Sequence, residues 1–396
     1  MVGRRHEQTP DEAPGRLHAI ETEPLGPGRH DAADLEVATR RREVESGLNQ
    51  PRADRVVDIG EDQGSHAVRR VEDKDVTSSA SNGKRVGLIG CGVVGRHLGA
   101  RLLQAGFEVR VHDRHREKTD ALTARGAVWS PSPSSLGSEC GTVVSALPRA
   151  DDVVDALISP DGAWTSMAKG SLHVDTSTIG VACARALAAE AKRRKIRYLD
   201  APLSAAHVAD TGPTLALFVA GNADHYDLAR PLLSAMAEHI HFLGGPPGLG
   251  QVAKLVNNLT SHCMTIVLAD ALAMGMKAGL SIELLRSAIH DGTAQCRLLD
   301  ELLPAGAFAG DWRPGLRLDL AVKDLALAEE LSRETAVEQN FLRATRALYE
   351  EAADRGWGEL SSHAVLRLQE ERASVSFRSS IFERLSGTND AEPPPD

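Results

Sequence analysis

The chemistry of this chain is concentrated in one short run, GLGQVAKLVNN, from Gly248 to Asn258. Lys254 and Asn258 stand four residues apart, a spacing that puts both on one face of a helix. The helix predicted over 251–278 is otherwise almost wholly apolar. A lysine held among apolar neighbours loses part of its affinity for a proton. It can then exchange a proton near neutral pH and stabilise negative charge growing on a carbonyl oxygen. The bland alternative is a lysine at the end of a core helix whose ammonium reaches back to solvent. These two residues alone do not separate the readings. Gly248 and Gly250, just before them, let another backbone or a ligand come close.

A second run points to a cofactor. GLIGCGVVGRHL holds Gly90, Gly92 and Gly95 in the spacing G-x-G-x-x-G, after an apolar strand pattern and at the start of a helical one. The first glycine permits the tight turn, the second a close approach of pyrophosphate, the third close packing of helix on strand. The amides that open the helix, at Val93 and Val94, face the phosphates. Alone, such a motif is also a glycine-rich turn of other α/β proteins. Asp113, about twenty residues on and at the end of the second strand, adds a carboxylate for the ribose hydroxyls and favours NAD. Arg114 beside it is suited to a 2′-phosphate and keeps NADP open. Leu147–Pro148 follows the next long strand at its carboxyl end, the ligand edge of an open α/β sheet.

These residues need elements to hold them. Strand patterns appear at 85–90, Glu108–Asp113, Thr142–Leu147, Ser171–Ser177, Ile196–Pro202 and Leu215–Gly221, separated mostly by helical patterns such as Val181–Arg194. That alternation implies a mostly parallel sheet covered on both faces. After residue 247 the strand signals stop, and helices are predicted over 251–278, 281–290, 295–303, 321–335, 339–354 and 360–371. The fold class is therefore an α/β Rossmann-type dinucleotide-binding domain over 84–247, followed by an all-α substrate and dimerisation domain over 248–378. Residues 1–83 lack any Phe, Trp or Tyr and are dense in charge of both signs, which predicts a disordered extension. The tail 379–396 is expected to be disordered as well.

Composition narrows the partners. The net charge of -10 argues against a general nucleic-acid binder or a membrane-surface protein. No unbroken apolar run long enough to span a bilayer is read in the chain. Five cysteines without a C-x-x-C pair read as reduced thiols, which suits the cytoplasm. His239 and His241 fall on one face of a strand-like run, without the Cys or carboxylate cluster a metal site would need.

Five blocks in order, GLIGCGVVG, VDTSTI, DAPLSAA, GLGQVAKLVNN and AVKDLALA, make residues 84–378 resemble the β-hydroxyacid dehydrogenase family. That group includes 3-hydroxyisobutyrate dehydrogenase and tartronate semialdehyde reductase and is related to 6-phosphogluconate dehydrogenase. The resemblance implies that Lys254 is general acid in reduction and general base in oxidation, and that Asn258 bonds the substrate. It implies that Ser204 holds the substrate carboxylate with the amides of Ala205 and Ala206. Thr178, Leu147 and Pro148 are implied as cofactor contacts, Lys323 as a second lysine lining the nicotinamide end, and Asp324 as a structural partner within its own domain. The implied activity interconverts a small 3-hydroxy acid and its semialdehyde or β-oxo acid with NAD or NADP. The implied assembly is a homodimer or homotetramer, built partly on the apolar helix after Lys254. Three departures surround the substrate. Ala205–Ala206 stands for the usual Gly-Gly, Pro213 for a common glycine, and Gly180 replaces the common proline region. The Ala205–Ala206 change motivates one alternative, a same-fold reductase of another carbonyl or an imine; the second alternative is a non-catalytic NAD(P)-binding regulatory protein with residues 1–83 as its interaction arm. Lys254 argues against the related imine reductases, which carry another residue there.

Overall fold

In the parallel core of the sheet, alternate residues of each strand feed two different cores. The computed structural model describes residues 55–58, 69–70, 84–208 and 212–386, without the side chains of 55–58, 69–70, 206–208, 212–213 and 385–386. Strand β3 (Arg85–Ile89) is buried from Val86 onward. Val86 and Leu88 join helix α1 (Val93–Gln104) in one core, with Val109 and Val111 of β4 (Glu108–His112). Ile89 faces the opposite side, towards α2 (Pro133–Glu139), α3 (Ala150–Ile158) and α4 (Val181–Arg194). Gly87 has no room for a side chain, since a Cβ there would lie 2.2 Å from Leu136 Cδ2. Strands buried on both faces are what a covered parallel sheet demands.

The remaining strands are β1 (Arg55–Asp58), β2 (Arg69–Arg70), β5 (Val128–Trp129), β6 (Thr142–Ser145), β7 (Leu172–Asp175), β8 (Arg197–Asp200), β9 (Leu203–Val208), β10 (Gly212–Gly221) and β11 (His239–Gly244). Their order is β2-β1-β11-β10-β8-β7-β6-β3-β4-β5, with β9 beside β10. The run β8-β7-β6-β3-β4-β5 is parallel throughout. Strand order reverses at β3, which has β4 on one side and β6 on the other, and ligands bind at such a point. Strand β10 runs antiparallel to β8 and β9 and parallel to β11. Helix α5 (Ala223–Met236) joins β10 to β11.

The short strands β5 and β9 escaped the sequence reading. Within residues 1–83, read as an extension, Arg55–Asp58 pairs in parallel with β11, and Arg69–Arg70 pairs with it in turn. The rest of 1–83 lies outside the described residues. At the other end, the expectation of disorder after 378 is corrected. Helix α11 (Ser380–Ser386) seats Phe382, 4 % exposed, against Phe308. Burying an aromatic ring outweighs the polar composition around it. Residues 387–396 lie outside the described residues.

Helix α6 (Leu249–Lys277) is the axis of the helical half. At 1.5 Å per residue, its 29 residues run about 43 Å. Helices α8 (Leu318–Thr335), α9 (Leu342–Ala352) and α10 (Leu366–Ala373) pack against it, and α7 (Ile282–His290) follows it. Leu268, Leu272, Phe308, Leu318, Leu325 and Tyr349 form the core there. By length and composition alone α6 could cross a membrane, which the search for an unbroken apolar run passed over because Lys254, Asn258 and Asp270 interrupt the helix. Its buried face, however, carries Gln251, Lys254, Asn258, His262 and Thr265, and those residues meet other parts of this chain. Val256, Val267 and Met274 on its other side are exposed.

Candidate active site

The carboxyl edge of the sheet is built first. Gly90 follows β3 at φ +94°, and a Cβ there would meet Ala146 O at 2.4 Å. A Cβ on Gly95 would sit 1.9 Å from Gly90 O, so α1 can lie this close to the strand only with glycine. Gly92 differs: its φ is -66°, and a Cβ there would meet nothing within 4 Å. The fold does not require glycine at 92, which leaves an open space over the loop. No side chain caps α1, whose intrahelical bonds begin with Arg96 N to Gly92 O at 2.9 Å. The amides of Val93, Val94 and Gly95 therefore have no acceptor within the helix. Open space over a turn, with unpaired amides at a helix N-terminus, fits a dinucleotide pyrophosphate. Asp113, just after β4, braces this loop. Its Oδ2 accepts from Cys91 N at 2.8 Å and its Oδ1 from His115 N at 2.9 Å. Arg114 forms an ion pair with Asp152 in the first turn of α3.

Two loops at the same edge are tied together. Leu147 N donates to Ser177 Oγ at 3.0 Å. Lys323, from α8, donates to Pro148 O at 2.8 Å and to Thr178 O at 2.6 Å. The lysine thus spans both loops from the helical half, and its ammonium also lies 3.3 Å from Asp324 Oδ1.

Helix α6 starts on this edge. Gly248 turns at φ +106°, and a Cβ on Gly250 would meet Phe218 O at 2.5 Å and Asp200 Oδ2 at 2.8 Å. Asp200, buried at the end of β8, accepts from Gly248 N at 2.8 Å and Gln251 N at 3.1 Å. A carboxylate at a helix N-terminus is favourably placed. Burial nevertheless pushes its pKa up to about 6, against the hydrogen bonds it accepts. The Gln251 amide is fully used. Nε2 donates to Asp200 Oδ1 at 2.7 Å and Ser177 O at 3.0 Å, and Oε1 accepts from Ile179 N at 2.9 Å and Gly180 N at 3.1 Å. Gly180, at φ +82°, fits this contact, because a proline has no N–H to give and cannot reach that φ.

One turn further, Lys254 is 9 % exposed, and among the described residues no hydrogen bond or ion pair holds its ammonium. Burial lowers its pKa to about 8. Asp324 opposes the shift and Lys323 adds to it. Asn258 Nδ2 donates to Asp324 Oδ2 at 2.6 Å. Asn257 Nδ2 reaches Asn258 Oδ1 at 3.1 Å and, more weakly, Ser204 Oγ at 3.5 Å. A polar chain thus runs from Ser204 through Asn257, Asn258, Asp324 and Lys323 to the Pro148 and Thr178 carbonyls, with Lys254 beside it. Ser204–Ala206 lies in β9. Phe218 N donates to Pro202 O at 3.0 Å, and from there ladder alternation turns the amides of Ser204 and Ala206 towards β10 and that of Ala205 away. Of the two alanine amides expected to hold a carboxylate, only that of Ala205 is thus free of the ladder.

The NAD-binding domain of 6-phosphogluconate dehydrogenase matches residues 85–245. The NAD-binding region of NADP-dependent 3-hydroxyisobutyrate dehydrogenase matches residues 248–369. The NAD-dependent L-serine dehydrogenase of Pseudomonas aeruginosa is 31 % identical over 291 residues, 72 % of this chain and 97 % of that protein. The chain belongs to the β-hydroxyacid dehydrogenase family. Among solved structures, Mycobacterium tuberculosis 3-hydroxyisobutyrate dehydrogenase with L-serine is 28 % identical at a TM-score of 0.63, covering 72 % of this chain and 98 % of that one. Psf3 in complex with NADP+ and 2-OPP is 26 % identical at 0.65, covering 72 % and 99 %. This β-hydroxyacid dehydrogenase is an NAD(P)-dependent enzyme, and its relatives favour neither alternative reading.

In this β-hydroxyacid dehydrogenase the sequence-expected residues converge on two adjoining places. Gly90, Gly92, Val93, Val94, Gly95, Asp113 and Arg114 gather around the end of β3. Leu147, Pro148, Thr178, Lys323, Lys254, Asn258 and Ser204 gather where α6 and α8 meet the sheet edge. The side chains of Ala206 and Pro213 lie outside the described residues. Four participants were not anticipated: Asp200, Gln251, Asn257 and His262. Gln251 was within reach, since it shares the helical face of Lys254 and Asn258. His262, one turn beyond Asn258, is 4 % exposed, and its Nε2 has no partner among the described residues. Burial lowers its pKa to about 4 and keeps the ring neutral near pH 7.

Proposed function

We propose that this enzyme interconverts a small 3-hydroxy acid and its semialdehyde or β-oxo acid, with Lys254 moving the proton. The observation that carries this reading is the ammonium of Lys254. It is buried, unpaired and drawn down to about 8, one turn from an asparagine fixed by Asp324. A group with that pKa donates to a carbonyl oxygen in reduction and accepts from a hydroxyl in oxidation. When bound, the nicotinamide supplies or accepts the hydride. Asn258, its Nδ2 tied to Asp324, offers the substrate oxygen a fixed neighbour. Ser204 and the amide of Ala205 hold the substrate carboxylate. Lys323 keeps the Pro148 and Thr178 loops at a set spacing, where the nicotinamide end of the cofactor is read to lie. NAD is the cofactor favoured, since Asp113 stands where a 2′-phosphate would meet its charge.

The five free thiols support work in the cytoplasm. The exposed Val256, Val267 and Met274 on α6 support a homodimer joined through that helix. The test is a panel of small 3-hydroxy acids and semialdehyde acids, followed by the absorbance of reduced nicotinamide with NADH and NADPH. Lys254→Ala is run alongside. Turnover of a semialdehyde acid that vanishes in the variant, with NADH binding retained, is the expected result. Undiminished turnover in the variant would remove Lys254 from the chemistry.

A further inference from the structure

The Arg114–Asp152 ion pair lies where no described contact of the fold requires it. Arg114 follows β4, and Asp152 belongs to the first turn of the helix after β6. Those two strands flank β3 on opposite sides. The pair therefore bridges the crevice at the reversal of strand order, above the Gly90–Gly95 loop. Asp152 is the more enclosed partner, with 15 % of its side chain exposed against 67 % for Arg114. Its position in the first turn of α3 suits a carboxylate independently of the arginine. The neighbouring arginine is also committed: the Arg116 guanidinium stacks 4.5 Å over the Trp129 ring.

A 2′-phosphate placed beside Asp113 would need a free guanidinium. Arg114, the residue in position to receive it, is already neutralised by Asp152. The phosphate would have to displace one carboxylate while standing next to another, and like charges at short range repel. A ribose hydroxyl meets no such obstacle, because each Asp113 oxygen has a further lone pair to accept it.

We propose that Asp152 determines cofactor specificity, holding Arg114 away from the 2′ position and so selecting NAD over NADP. The inference rests on the NAD(P)-dependent reading above and deepens it. The test measures dissociation constants for NADH and NADPH directly, by quenching of tryptophan fluorescence and by calorimetry. The proteins are wild type, Asp152→Ala, Asp152→Asn, Arg114→Ala and the double variant Asp152→Ala/Arg114→Ala. Asp152→Asn keeps the size of the side chain and guards against loss of fold. Wild type is expected to bind NADH more tightly. Both Asp152 variants should tighten NADPH about tenfold, the scale of one like-charge contact removed at a partly exposed site, with NADH changed far less. The double variant should lose that gain. Equal changes for both dinucleotides, or wild-type preference for NADPH, would overturn the assignment to Asp152 and leave the dehydrogenase reading standing. Failure of wild type to bind either dinucleotide would overturn both.

Discussion

Lys254 combines two tendencies that pull against each other. The same burial that brings its proton into a usable range makes the folded state resist charging it. In the role proposed for Lys254 reduction draws on the protonated amine, so its rate is expected to fall as pH rises through about 8, and oxidation to rise over the same span. Asp324 raises the pKa of Lys254, so Asp324→Asn should move both profiles to lower pH, which rate measurements across pH 6 to 10 would show. The folded protein binds fewer protons at this site than the unfolded chain between about 8 and 10.5. Stability therefore gains from this residue as pH rises through that window and bears the full penalty below it. Lys254→Met is accordingly expected to lose about 10³-fold in turnover. It should also gain stability at neutral pH, by roughly 3 kcal/mol if the whole shift is recovered. Denaturant melts at pH 7 that showed a loss of stability would contradict the burial argument.

At the scale of elements, the glycine loop separates packing from binding. Gly95→Ala forces a methyl into Gly90 O and should destabilise the protein by about 2–4 kcal/mol, as overpacking against backbone does. Gly92→Ala has both the backbone angle and the space it needs, so its melting temperature should match wild type while its affinity for NADH drops at least about tenfold. Thermal melts beside NADH titrations decide this pair, and equal effects of the two substitutions would refute the distinction. The glycines were legible in the sequence because motif, strand and helix coincide there. The helical face of Lys254 was legible from spacing alone. What joins these pieces was not. Asp200 and Gln251 lie 51 residues apart, and their bond exists only once β8 and α6 meet. Strand β9 was missed because LSAAHV, just after Pro202, holds few residues that favour a strand, whereas pairing with β10 decides its state. The final helix was missed because its seven residues, SIFERLS, are too few to show a period, and Phe382 is held by its burial against the helical half.

Across the whole molecule, the relatives that span 97–99 % of their own length on this chain use only 72 % of it. The enzyme unit is therefore the α/β and helical halves together. A variant beginning at Gly83 is expected to keep cofactor binding and turnover, and loss of either would give Arg55–Asp58 and its pairing with β11 a functional part. Val267→Glu combined with Met274→Glu should lower the mass seen by light scattering to that of one chain, if α6 joins two copies. An unchanged mass would place the contact elsewhere.

The bracing of α6 by Asp200 and Gln251 bears on how the enzyme recovers after denaturation. The pyrophosphate side of the dinucleotide cradle is made by β3, α1 and β4, close together in the chain. Lys254 reaches its place only after β8, the Ser177–Gly180 loop and the first turn of α6 have docked, contacts that close loops of 48 to 74 residues. Long closures come late in folding. In a refolding experiment, quenching by NADH should return before turnover does, and the lag between them would time the arrival of a single lysine.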